Sequence, residues 1–551
     1  MPIVRLALAQ TNPIVGDLEG NRAQILSAVR SAAENGANLV LFGEMSLTGY
    51  PIEDLACRDS FIAAAESSLA TLITELQAAN LDQLAVVVGC PVFAAESMRS
   101  GWAIAHNAAI VIRDGVELGR YFKHHLPNYS VFDEYRNFVA GDQLFSFEHL
   151  GLRFSTVICE DIWQAGGPVA QIAVNDTDVT LVLNGSPFEI DKDDRRLALV
   201  KDLAAKQNSA VAYANLVGGQ DDLVFDGDSI VVDSNGNLVA RANQFENDLL
   251  FVDLASKTEI NLVDSRSTAK QDDDWQAYNA LVLGLRDYVH KNGFKSVVLG
   301  LSGGIDSALC AVIASDAIGA ENVYGISMPS KYSSDHSKSD AQDLAERLGC
   351  HYETQAIGDL VASFEDQISL NDTAAENLQA RMRALILMAK SNSEGHLTLT
   401  TGNKTELAVG YSTIYGDSVG GFAPIKDVEK TLVWQLAKWR NAVAEAEGKL
   451  GPIPENSISK PPSAELRPGQ VDQDSLPPYE ILDALLEGYV QRRESKQQLL
   501  QQGFDAATID RVLGLVDRAE WKRRQGAIGP KITGMAFGRD RRLPITNKFR
   551  N

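Results

Sequence analysis

The chain has 551 residues, of which 45% are hydrophobic, and its 73 acidic against 50 basic residues give a net charge of -23. A single hydrophobic core stops growing at about 250–300 residues, so this length predicts two domains of similar size. Such acidity argues against a nucleic-acid backbone or an anionic membrane as the main partner. It does not exclude a small phosphate-bearing ligand, because such sites depend on local amide groups and a few cations.

Five cysteines (Cys57, Cys90, Cys159, Cys310 and Cys350) are scattered along the sequence, and none is part of a CxxC pair. This spacing indicates neither a zinc ribbon nor a disulfide framework, and an odd number fits a reducing cytosol. The first residues, MPIVRLALAQ, lack the pattern of a secretory signal, and no run of about 18 apolar residues suggests a membrane span. We therefore expect a soluble, cytoplasmic enzyme.

Residues 1–255 alternate short β-rich runs with amphipathic helical stretches. Apolar spacing predicts a helix over residues 21–35, and the turn dipeptides Asp114-Gly115 and Asn235-Gly236 predict hairpins. Strands are predicted over residues 4–9, 39–42, 84–88, 108–112, 154–158, 180–183, 210–214 and 229–233. This mixture predicts a layered α/β domain that contains an antiparallel element.

A polar and charged stretch over residues 264–274 has no apolar periodicity, which is typical of a linker. After it the sequence predicts a helix over 274–292, a strand over 296–301, a glycine-rich loop, another helix and a strand over 322–328. This βαβ order predicts a parallel sheet with helices on both faces.

We accordingly divide the chain into a first domain of residues 1–255, a linker of 256–274 and a second domain of 275–551. Within the second domain, residues 455–480 are rich in Pro and Ser and predict a loop. The tail, residues 521–550, is rich in basic residues. No aromatic platform motif surrounds it, so a phosphate site for a small ligand is a better explanation than nucleic-acid binding.

Three reactive side chains stand close behind apolar β-rich runs: Glu44 after LVLF, Lys123 after GRYF and Cys159 after FSTVI. Together they would make an amidase in which Cys159 attacks the amide carbon to form a thioester. Glu44 would take the thiol proton and later activate water, and Lys123 would stabilise the oxyanion. Taken singly, a cysteine at a strand end is more often a small core residue.

The segments around these residues resemble the three signature blocks of the nitrilase superfamily, in the same order. They are FGEMSLTGYPIEDL (42–55), KHHLPNYSVFDEYRNF (123–138) and ICEDIW (158–163), and the likeness covers about residues 1–250. The resemblance implies an αββα sandwich, with Glu44, Lys123 and Cys159 in the roles given above. Similarity to the glutaminase members, including the segment NGSPFEIDK, further implies that glutamine is contacted by Tyr129, Ser186 and Lys192.

Two other glutaminase chemistries lack their residues in this sequence. Pro2 occupies the position where an N-terminal cysteine nucleophile would stand. A Cys-His-Glu triad would need a histidine soon after Cys159, but the next one is His290, beyond the predicted linker.

The run VVLGLSGGIDSALC (297–310) predicts a strand, a loop of small residues and the start of a helix. Gly303 and Gly304 let the backbone curl, so that amide groups at the helix N-terminus face a phosphate. Asp306 fits such a site if a Mg²⁺ ion bridges its carboxylate to the phosphate oxygens. The loop lacks the GxxxxGK[ST] pattern and is therefore not a Walker A site.

The sequence SGGIDS within this run resembles the pyrophosphate loop of the N-type ATP pyrophosphatases, which cleave ATP between the α- and β-phosphates. They adenylate an oxygen, and an adenylated carboxylate is a mixed anhydride that ammonia can convert to an amide. Four further segments, over residues 325–349, 375–392, 399–431 and 521–545, closely resemble NAD synthetases. This resemblance implies a doubly wound parallel-sheet domain, like the adenine-nucleotide α-hydrolases, that adenylates deamido-NAD⁺ (nicotinic acid adenine dinucleotide).

The resemblance also implies binding residues in this half of the chain. Asp306 and Glu406 would bind Mg²⁺, and Asn377, Glu406 and Lys522 would contact deamido-NAD⁺. Lysines such as Lys430 and Lys522 offer compact charges to phosphates, and Glu406 offers an oxygen ligand to a hard cation. The residues implied for ATP are Gly300, Leu301, Ser302, Gly303, Gly304, Ile305, Asp306, Ser307, Thr401, Lys430 and Ser463.

The two halves together predict an enzyme that hydrolyses glutamine and uses the ammonia to amidate deamido-NAD⁺, with NAD⁺, AMP, pyrophosphate and glutamate as products. Free ammonia is mostly NH₄⁺ at neutral pH, so we also expect an internal ammonia tunnel, and family resemblance implies a homo-oligomer. Two alternatives stay open. In the first alternative, the acceptor is a different molecule, as in GMP or asparagine synthesis. In the second, the first half is a non-catalytic scaffold and the donor is free ammonia.

Overall fold

The computed structural model describes residues 3–263, 269–467 and 469–549. Five residues of the predicted linker, 264–268, lie outside the described residues. Across the three described ranges, none of the helices has both the length and the apolar character that crossing a membrane requires.

Contacts divide the chain into two compact units. The first consists of residues 1–220 and 224–271, and the second of residues 221–223 and 272–551. We refer to them as the first and second units. The domain boundaries given above stay a prediction.

Two β-sheets and three long helices make up most of residues 3–263. The long helices are α1 (Leu18–Glu34), α2 (Asp59–Ala78) and α4 (Lys192–Gln207), and a single turn of helix forms α3 (Glu134–Asn137). The strands are β1 (Val4–Gln10), β2 (Leu39–Phe42), β3 (Ala85–Phe93), β4 (Ala105–Arg113), β5 (Val116–Phe122), β6 (Phe145–His149), β7 (Leu152–Ile158), β8 (Val179–Asn184), β9 (Ala210–Asn215), β10 (Val217–Gln220), β11 (Leu223–Asp226), β12 (Ile230–Val232), β13 (Leu238–Arg241), β14 (Asp248–Leu254) and β15 (Ile260–Leu262).

The larger sheet has the strand order β15-β14-β1-β2-β3-β4-β5, and the smaller has the order β13-β12-β9-β8-β7-β6. Strands β1, β2 and β3 run parallel, as do β7, β8 and β9, while the outer pairings are antiparallel. Both sheets therefore contain a parallel centre, whose strands all end at the same edge.

Alternation along the strands explains the layering, because successive side chains point to opposite faces of a sheet. Leu6 and Leu8 of β1 lie in one hydrophobic core with residues of the smaller sheet, such as Leu181. Ala7 and Ala9 lie in a second core, with residues of α1 and α2. Residues of α4 pack against the smaller sheet. The expected αββα sandwich is confirmed.

The eight strands predicted in the first half are all present, as β1, β2, β3, β4, β7, β8, β9 and β12. Both predicted hairpins are present too, since β4 pairs with β5 and β12 with β13, each pair antiparallel. The predicted helix starts three residues earlier than expected, at Leu18, because the Asp17 side chain accepts from the Gly20 amide and caps it.

The second unit is built around a small parallel sheet. Its strands are β16 (Val297–Gly300), β17 (Val323–Ser327), β18 (His351–Thr354) and β19 (Leu397–Thr398). Its helices are α5 (Asp273–Lys291), α6 (Ile305–Ile318), α7 (Asp335–Leu348), α8 (Gly358–Glu365), α9 (Asp372–Glu394), α10 (Lys404–Val409), α11 (Lys430–Ala446), α12 (Glu455–Ser459), α13 (Tyr479–Leu486), α14 (Lys496–Gln501), α15 (Ala506–Arg518) and α16 (Glu520–Arg523).

The strand order β18-β17-β16-β19 is parallel throughout, as the βαβ pattern predicted. Val298 and Ile326 pack on one face against α8 and α9, while α6 contacts β16 and β17. The loop predicted over residues 455–480 is wrong at both ends. α12 begins directly after Pro454 and α13 directly after Pro478, positions where the fixed backbone of proline favours a helix start.

Candidate active sites

A buried ion cluster joins Glu44, Lys123 and Glu134 in the first unit. Glu44 follows β2, Lys123 follows β5, and Glu134 begins α3. The Lys123 Nζ lies 2.8 Å from Glu44 Oε1 and 2.8 Å from Glu134 Oε2. Asn107 Nδ2 donates to Glu44 Oε1 at 2.6 Å, and the Gly185 amide donates to Glu44 Oε2 at 2.9 Å. Glu44 is therefore held at both oxygens.

The cluster shifts the proton affinities of its members. Burial alone would lower the pKa of Lys123, but Glu134 and Glu44 raise it well above its usual value, so the side chain stays an ammonium. Burial raises the pKa of Glu134 to about 7, against the opposing pull of Lys123, and Glu44 adds to the rise. Two carboxylates share one cation, so one of them holds its proton near neutral pH.

Cys159 stands directly after β7, with a backbone φ of +41°. A residue other than glycine in this left-handed region is strained, and such strain is common where a fold fixes a nucleophile. Burial raises the pKa of the thiol, Glu44 raises it further and Lys123 opposes both. The structure thus brings the predicted trio together, and Cys159 needs a neighbouring base to become a thiolate.

The three residues predicted to contact glutamine have different settings. The Tyr129 hydroxyl donates to Glu160 Oε2 at 2.9 Å, and Glu160 is the residue after Cys159. The Ser186 Oγ accepts from the buried Arg196 Nε at 3.2 Å. Lys192 opens α4, with its Nζ 3.7 Å from Glu189 Oε1. Their contact with glutamine stays a prediction.

The loop predicted to bind phosphate, which we call the phosphate loop, leaves β16 at Gly300 and enters α6 at Ile305. The Leu301 amide donates to Ile326 O at 2.9 Å, which ties the loop to β17. Ser302 Oγ lies 3.1 Å from Ser307 Oγ and accepts from the Gly304 amide at 3.2 Å. Gly303 has a φ of +77°, and a Cβ there would lie 2.3 Å from Ser337 O, so this position requires glycine.

A second cluster of two carboxylates and one lysine stands beside this loop. Lys430 Nζ bonds to Asp306 Oδ2 and lies 3.5 Å from Glu406 Oε1. Asn403 Nδ2 donates to Asp306 Oδ1 at 2.9 Å, and its Oδ1 accepts from the Glu406 amide at 2.9 Å. Asn403 therefore caps α10 and links the two carboxylate-bearing segments.

Glu406 and Lys430 are strongly perturbed by this arrangement. Burial and the nearby Asp306 raise the pKa of Glu406 to about 8, although Lys430 opposes the shift. Burial would lower the pKa of Lys430, but Asp306 and Glu406 raise it. With a pKa of about 8, Glu406 keeps most of its proton near neutral pH. If that proton leaves, the negative charge of the cluster exceeds the single positive charge of Lys430.

A pocket in the second unit has Glu406, Ser412, Asp417 and Arg523 in its wall. Lys522 Nζ donates to the carbonyls of Gly410 and Ser412, each at 2.7 Å. Burial lowers the pKa of Lys522, and Asp417 opposes the shift.

Asn377, the other residue predicted for deamido-NAD⁺, accepts from Thr413 Oγ1 at 2.8 Å. Asn377 and Lys522 thus both contact the segment 410–418, which also contributes to the pocket wall.

The two remaining residues predicted for ATP lie in loops. Thr401 stands between β19 and α10, and β19 pairs in parallel with β16, so it leaves the sheet at the same edge as the phosphate loop. Ser463 accepts from the Glu465 amide at 3.1 Å and donates to Gln470 O at 2.5 Å, which fixes its own loop. Their role toward ATP stays a prediction.

Sequence reasoning missed three polar residues that complete these clusters: Glu134, Asn107 and Asn403. Glu134 lies inside the segment 123–138, whose many polar residues favour an exposed position for a glutamate. Asn403 lies inside the segment 399–431 and precedes the helix that carries Glu406. The only signal in the sequence was that Glu134 and Asn403 lie inside segments that resemble a known family, because the identity of a single residue does not show that it is buried.

Comparison with known proteins adds to this geometry. Residues 5–261 match the family model for carbon-nitrogen hydrolase, and residues 277–526 match that for NAD synthase. A glutamine-dependent NAD(+) synthetase from Acinetobacter baylyi is 42% identical, and the match covers 100% of this chain and 99% of that protein. One from Aquifex aeolicus is also 42% identical, over 99% and 100%. The chain belongs to the glutamine-dependent NAD(+) synthetase family.

A solved structure supports the same assignment for the fold. The glutamine-dependent NAD+ synthetase from Acinetobacter baumannii in complex with adenosine diphosphate is 40% identical, with a TM-score of 0.77 and 99% coverage of both chains. The first alternative loses its support, because the relatives reported above are named as NAD(+) synthetases and not as enzymes of GMP or asparagine synthesis.

Replacing Glu134 by Gln in this family member keeps the shape of the side chain but removes its charge. Since the pKa of Glu134 is raised to about 7, the wild-type cluster gains a negative charge as the pH rises through that value, and a more negative cluster accepts the thiol proton more readily. We expect wild-type glutamine hydrolysis to rise with pH through about 7. Glu134→Gln should be slower by about 10–100-fold and lose this inflection, measured as glutamate release from pH 5.5 to 9.

The matched control is Glu117→Gln, because Glu117 pairs with Arg120 on β5 rather than with Lys123. It should keep both the rate and the inflection. An inflection that persists in Glu134→Gln would assign the titration to a different group.

Neighbouring glycines test the phosphate loop. Gly303→Ala combines a positive φ with a clash against Ser337 O, whereas a Cβ on Gly304 meets only Ser302 Oγ, at 3.3 Å. We expect Gly303→Ala to raise the KM for ATP at least tenfold, about 1.4 kcal/mol, or to lower the unfolding free energy by about 1–3 kcal/mol. Gly304→Ala should have a clearly smaller effect on both quantities. Equal effects would contradict the proposed close approach of the loop to α7.

Proposed function

We propose that the first unit hydrolyses glutamine at Cys159 and that the second unit uses the ammonia to amidate adenylated deamido-NAD⁺. The observation that carries this proposal is the presence, in one chain, of two separate charge clusters: a thiol beside a buried Glu-Lys-Glu cluster, and a glycine-rich loop beside an Asp-Lys-Glu cluster with a buried lysine. Similarity to the glutamine-dependent NAD(+) synthetases over the whole chain supports the choice of substrates.

Glutamine hydrolysis follows from the chemistry of the first cluster. Glu44 accepts the proton of the Cys159 thiol as the sulfur attacks the side-chain amide carbon. The Lys123 ammonium stabilises the oxyanion, and the proton on Glu44 passes to the leaving nitrogen, so that ammonia departs and a thioester remains. Glu44 then takes a proton from water, whose oxygen attacks the thioester carbon. The C–S bond breaks, the proton passes from Glu44 to the Cys159 sulfur, and glutamate is released. Tyr129, Ser186 and Lys192 would hold the substrate.

Amide formation requires two transfers at the second cluster. An oxygen of the nicotinate carboxylate attacks the α-phosphorus of ATP and releases pyrophosphate, which leaves an acyl adenylate. Ammonia then attacks the acyl carbon, AMP departs, and one proton is lost. Lys430 and the amides of residues 302–307 would bind the phosphates of ATP, with Thr401 and Ser463 at its periphery. Asn377 and Lys522 would position deamido-NAD⁺.

The donor set also fits a magnesium ion. Asp306 and Glu406 offer carboxylate oxygens next to the phosphate loop, and the pKa of Glu406, raised to about 8, reports negative charge that a cation would balance. Mg²⁺ is commonly held by one or two carboxylates together with substrate phosphates. When bound, the ion would neutralise the charge that develops on the pyrophosphate leaving group.

We further propose a homo-oligomer in the cytoplasm. Leu360 and Phe364 lie one turn apart on α8 and are exposed, and Ile368, beyond its end, is exposed as well. Such an apolar stripe supports association with a second copy. The five cysteines are all free, which suits a reducing compartment. Transfer of ammonia through an internal tunnel also stays a prediction. Its basis is that ammonia released into water would be protonated and could no longer act as a nucleophile.

Replacing Cys159 by Ala tests the division of labour. We expect NAD⁺ formation from glutamine to fall at least about 10³-fold because the nucleophile is gone, while formation from ammonium stays within a factor of about two. The assay contains ATP, Mg²⁺, deamido-NAD⁺ and either donor, and it monitors NAD⁺ and AMP. Cys90→Ala is the control, because Cys90 is a buried thiol of β3.

Equal losses with both donors would contradict the division of labour. Glutamine-supported synthesis that survives in Cys159→Ala would contradict the role of Cys159 as the nucleophile. A wild-type enzyme that uses ammonium but not glutamine would instead favour the alternative in which the first unit is a non-catalytic scaffold. Cys90→Ala should support synthesis from both donors.

Glu406→Gln tests the magnesium proposal. Removing this charge should raise the Mg²⁺ concentration for half-maximal AMP formation by about tenfold, the effect of losing one ionic ligand. In the wild type, the pKa of about 8 means that Mg²⁺ must displace a proton from Glu406 at neutral pH. The half-saturating Mg²⁺ concentration should therefore fall as the pH rises from 6.5 to 8.5, and this trend should flatten in the variant.

Asp316→Asn is the control for this experiment, because Asp316 pairs with Arg440 and Tyr278. It should keep the wild-type dependence on Mg²⁺ and on pH. A pH trend of equal slope in Glu406→Gln would sink the assignment of this ligand.

A further inference from the structure

One buried carboxylate in the first unit joins the two sheets at the active site. Asp161 lies two residues after Cys159 and is fully buried. Its Oδ2 accepts from the Tyr121 hydroxyl at 2.8 Å and from the Ile158 amide at 3.1 Å. Its Oδ1 accepts from the amides of His124 at 3.0 Å and His125 at 2.8 Å.

The donors come from both layers of the sandwich. Tyr121 is in β5 of the larger sheet, and residues 124 and 125 follow that strand, while Ile158 is the last residue of β7 in the smaller sheet. Lys123 stands between Tyr121 and the two histidines, and Cys159 comes directly after Ile158. Each hydrogen bond of Asp161 thus fixes a residue adjacent to, or two positions from, a residue of the catalytic trio.

A carboxylate is required for this pattern. Both oxygens act only as acceptors, and four N–H or O–H groups converge on them. Burial raises the pKa of Asp161, and the hydrogen bonds from His125, Tyr121 and Ile158 oppose that rise. An amide in its place would turn an NH₂ group toward backbone N–H donors in either orientation, because both oxygens accept from backbone amides.

We propose that Asp161 is a positioning residue that sets the separation between the Lys123 ammonium and the Cys159 thiol by clamping the ends of β5 and β7. This inference rests on the proposed glutaminase role of the trio. Lys123 and Cys159 follow strands of different sheets, so the distance between them depends on how the two strand ends are held together. The hydrogen bonds of the Asp161 carboxylate hold them. A misplacement of about 1 Å can lower a catalytic rate about 10²-fold.

The experiment compares Asp161→Asn with Asp233→Asn and Tyr121→Phe. Asp233 is a buried carboxylate in the β12–β13 turn that also accepts from backbone amides, of Asn235 and Asn237. Asp161→Asn should lower the kcat of glutamine hydrolysis at least about 10²-fold and leave the KM within about threefold. Tyr121→Phe, which loses one of four donors, should lie between it and the wild type. Asp233→Asn should lower the melting temperature but keep kcat.

A second readout separates positioning from general loss of structure. The rate at which iodoacetamide alkylates Cys159 is followed against pH by mass spectrometry of the peptide that carries it. The groups that act on this thiol are Glu44, Lys123, Glu134 and Glu160, together with Tyr50, Tyr129 and Tyr213. If the clamp holds Lys123 near the thiol, the pH midpoint of alkylation should rise in Asp161→Asn, because the thiolate loses its nearest cation.

Two results would overturn the proposal. A midpoint that falls would show a direct effect of removing a negative charge, and an unchanged midpoint with a lower melting temperature would show a merely structural role. NAD⁺ formation from ammonium checks that the second unit is intact in each variant. Failure of the proposed function itself is seen separately, as a wild-type enzyme that forms no NAD⁺ from glutamine, or as Cys159→Ala that still does.

Discussion

Both candidate sites depend on the same electrostatic constraint: one buried lysine must balance two neighbouring carboxylates. Lys123 does so between Glu44 and Glu134, and Lys430 between Asp306 and Glu406. Removing a charge from water costs several kcal/mol per ion, so such groups persist only when paired and hydrogen-bonded. The count of charges leaves one carboxylate in excess at each site, and the excess appears as a raised pKa, to about 7 for Glu134 and about 8 for Glu406.

The strand ends deliver these groups to one place. In the first unit, Glu44 and Cys159 follow parallel strands of two different sheets, so neither sheet alone contains the site. In the second unit, the phosphate loop follows β16 and the segment that holds Asn403 follows its neighbour β19. Parallel strands all present their carboxyl ends at one edge of the sheet. The residues that follow the strands no longer pair with neighbouring strands, so their backbone amides and side chains can converge on a ligand. The fold thus explains why the reactive residues came directly after apolar runs in the sequence.

The sequence alone was sufficient to predict the elements whose signal is local. Eight strands, two hairpins and the turn between β16 and α6 follow from alternation, turn dipeptides and small residues. The trio follows from its place behind the strands together with the resemblance of the flanking segments. Glu134, Asp161 and Asn403 were missed for a physical reason. In a sequence, an acid or an amide within a polar segment favours an exposed position, and its burial is decided by partners far along the chain. Tyr50, for example, donates to Glu134 from 84 residues away.

The excess charge also connects the two clusters with their chemistry. A carboxyl group whose pKa lies near the working pH changes its protonation at little free-energy cost, which is the property required of a group that exchanges a proton or accepts a cation. Glu134 can take up or release a proton while Glu44 and Cys159 react, so the cluster need not bear two uncompensated charges at any step. Glu406 can hold a proton until a cation replaces it. Each site therefore avoids an unbalanced buried charge before its substrate arrives, and the substrate or its metal completes the balance.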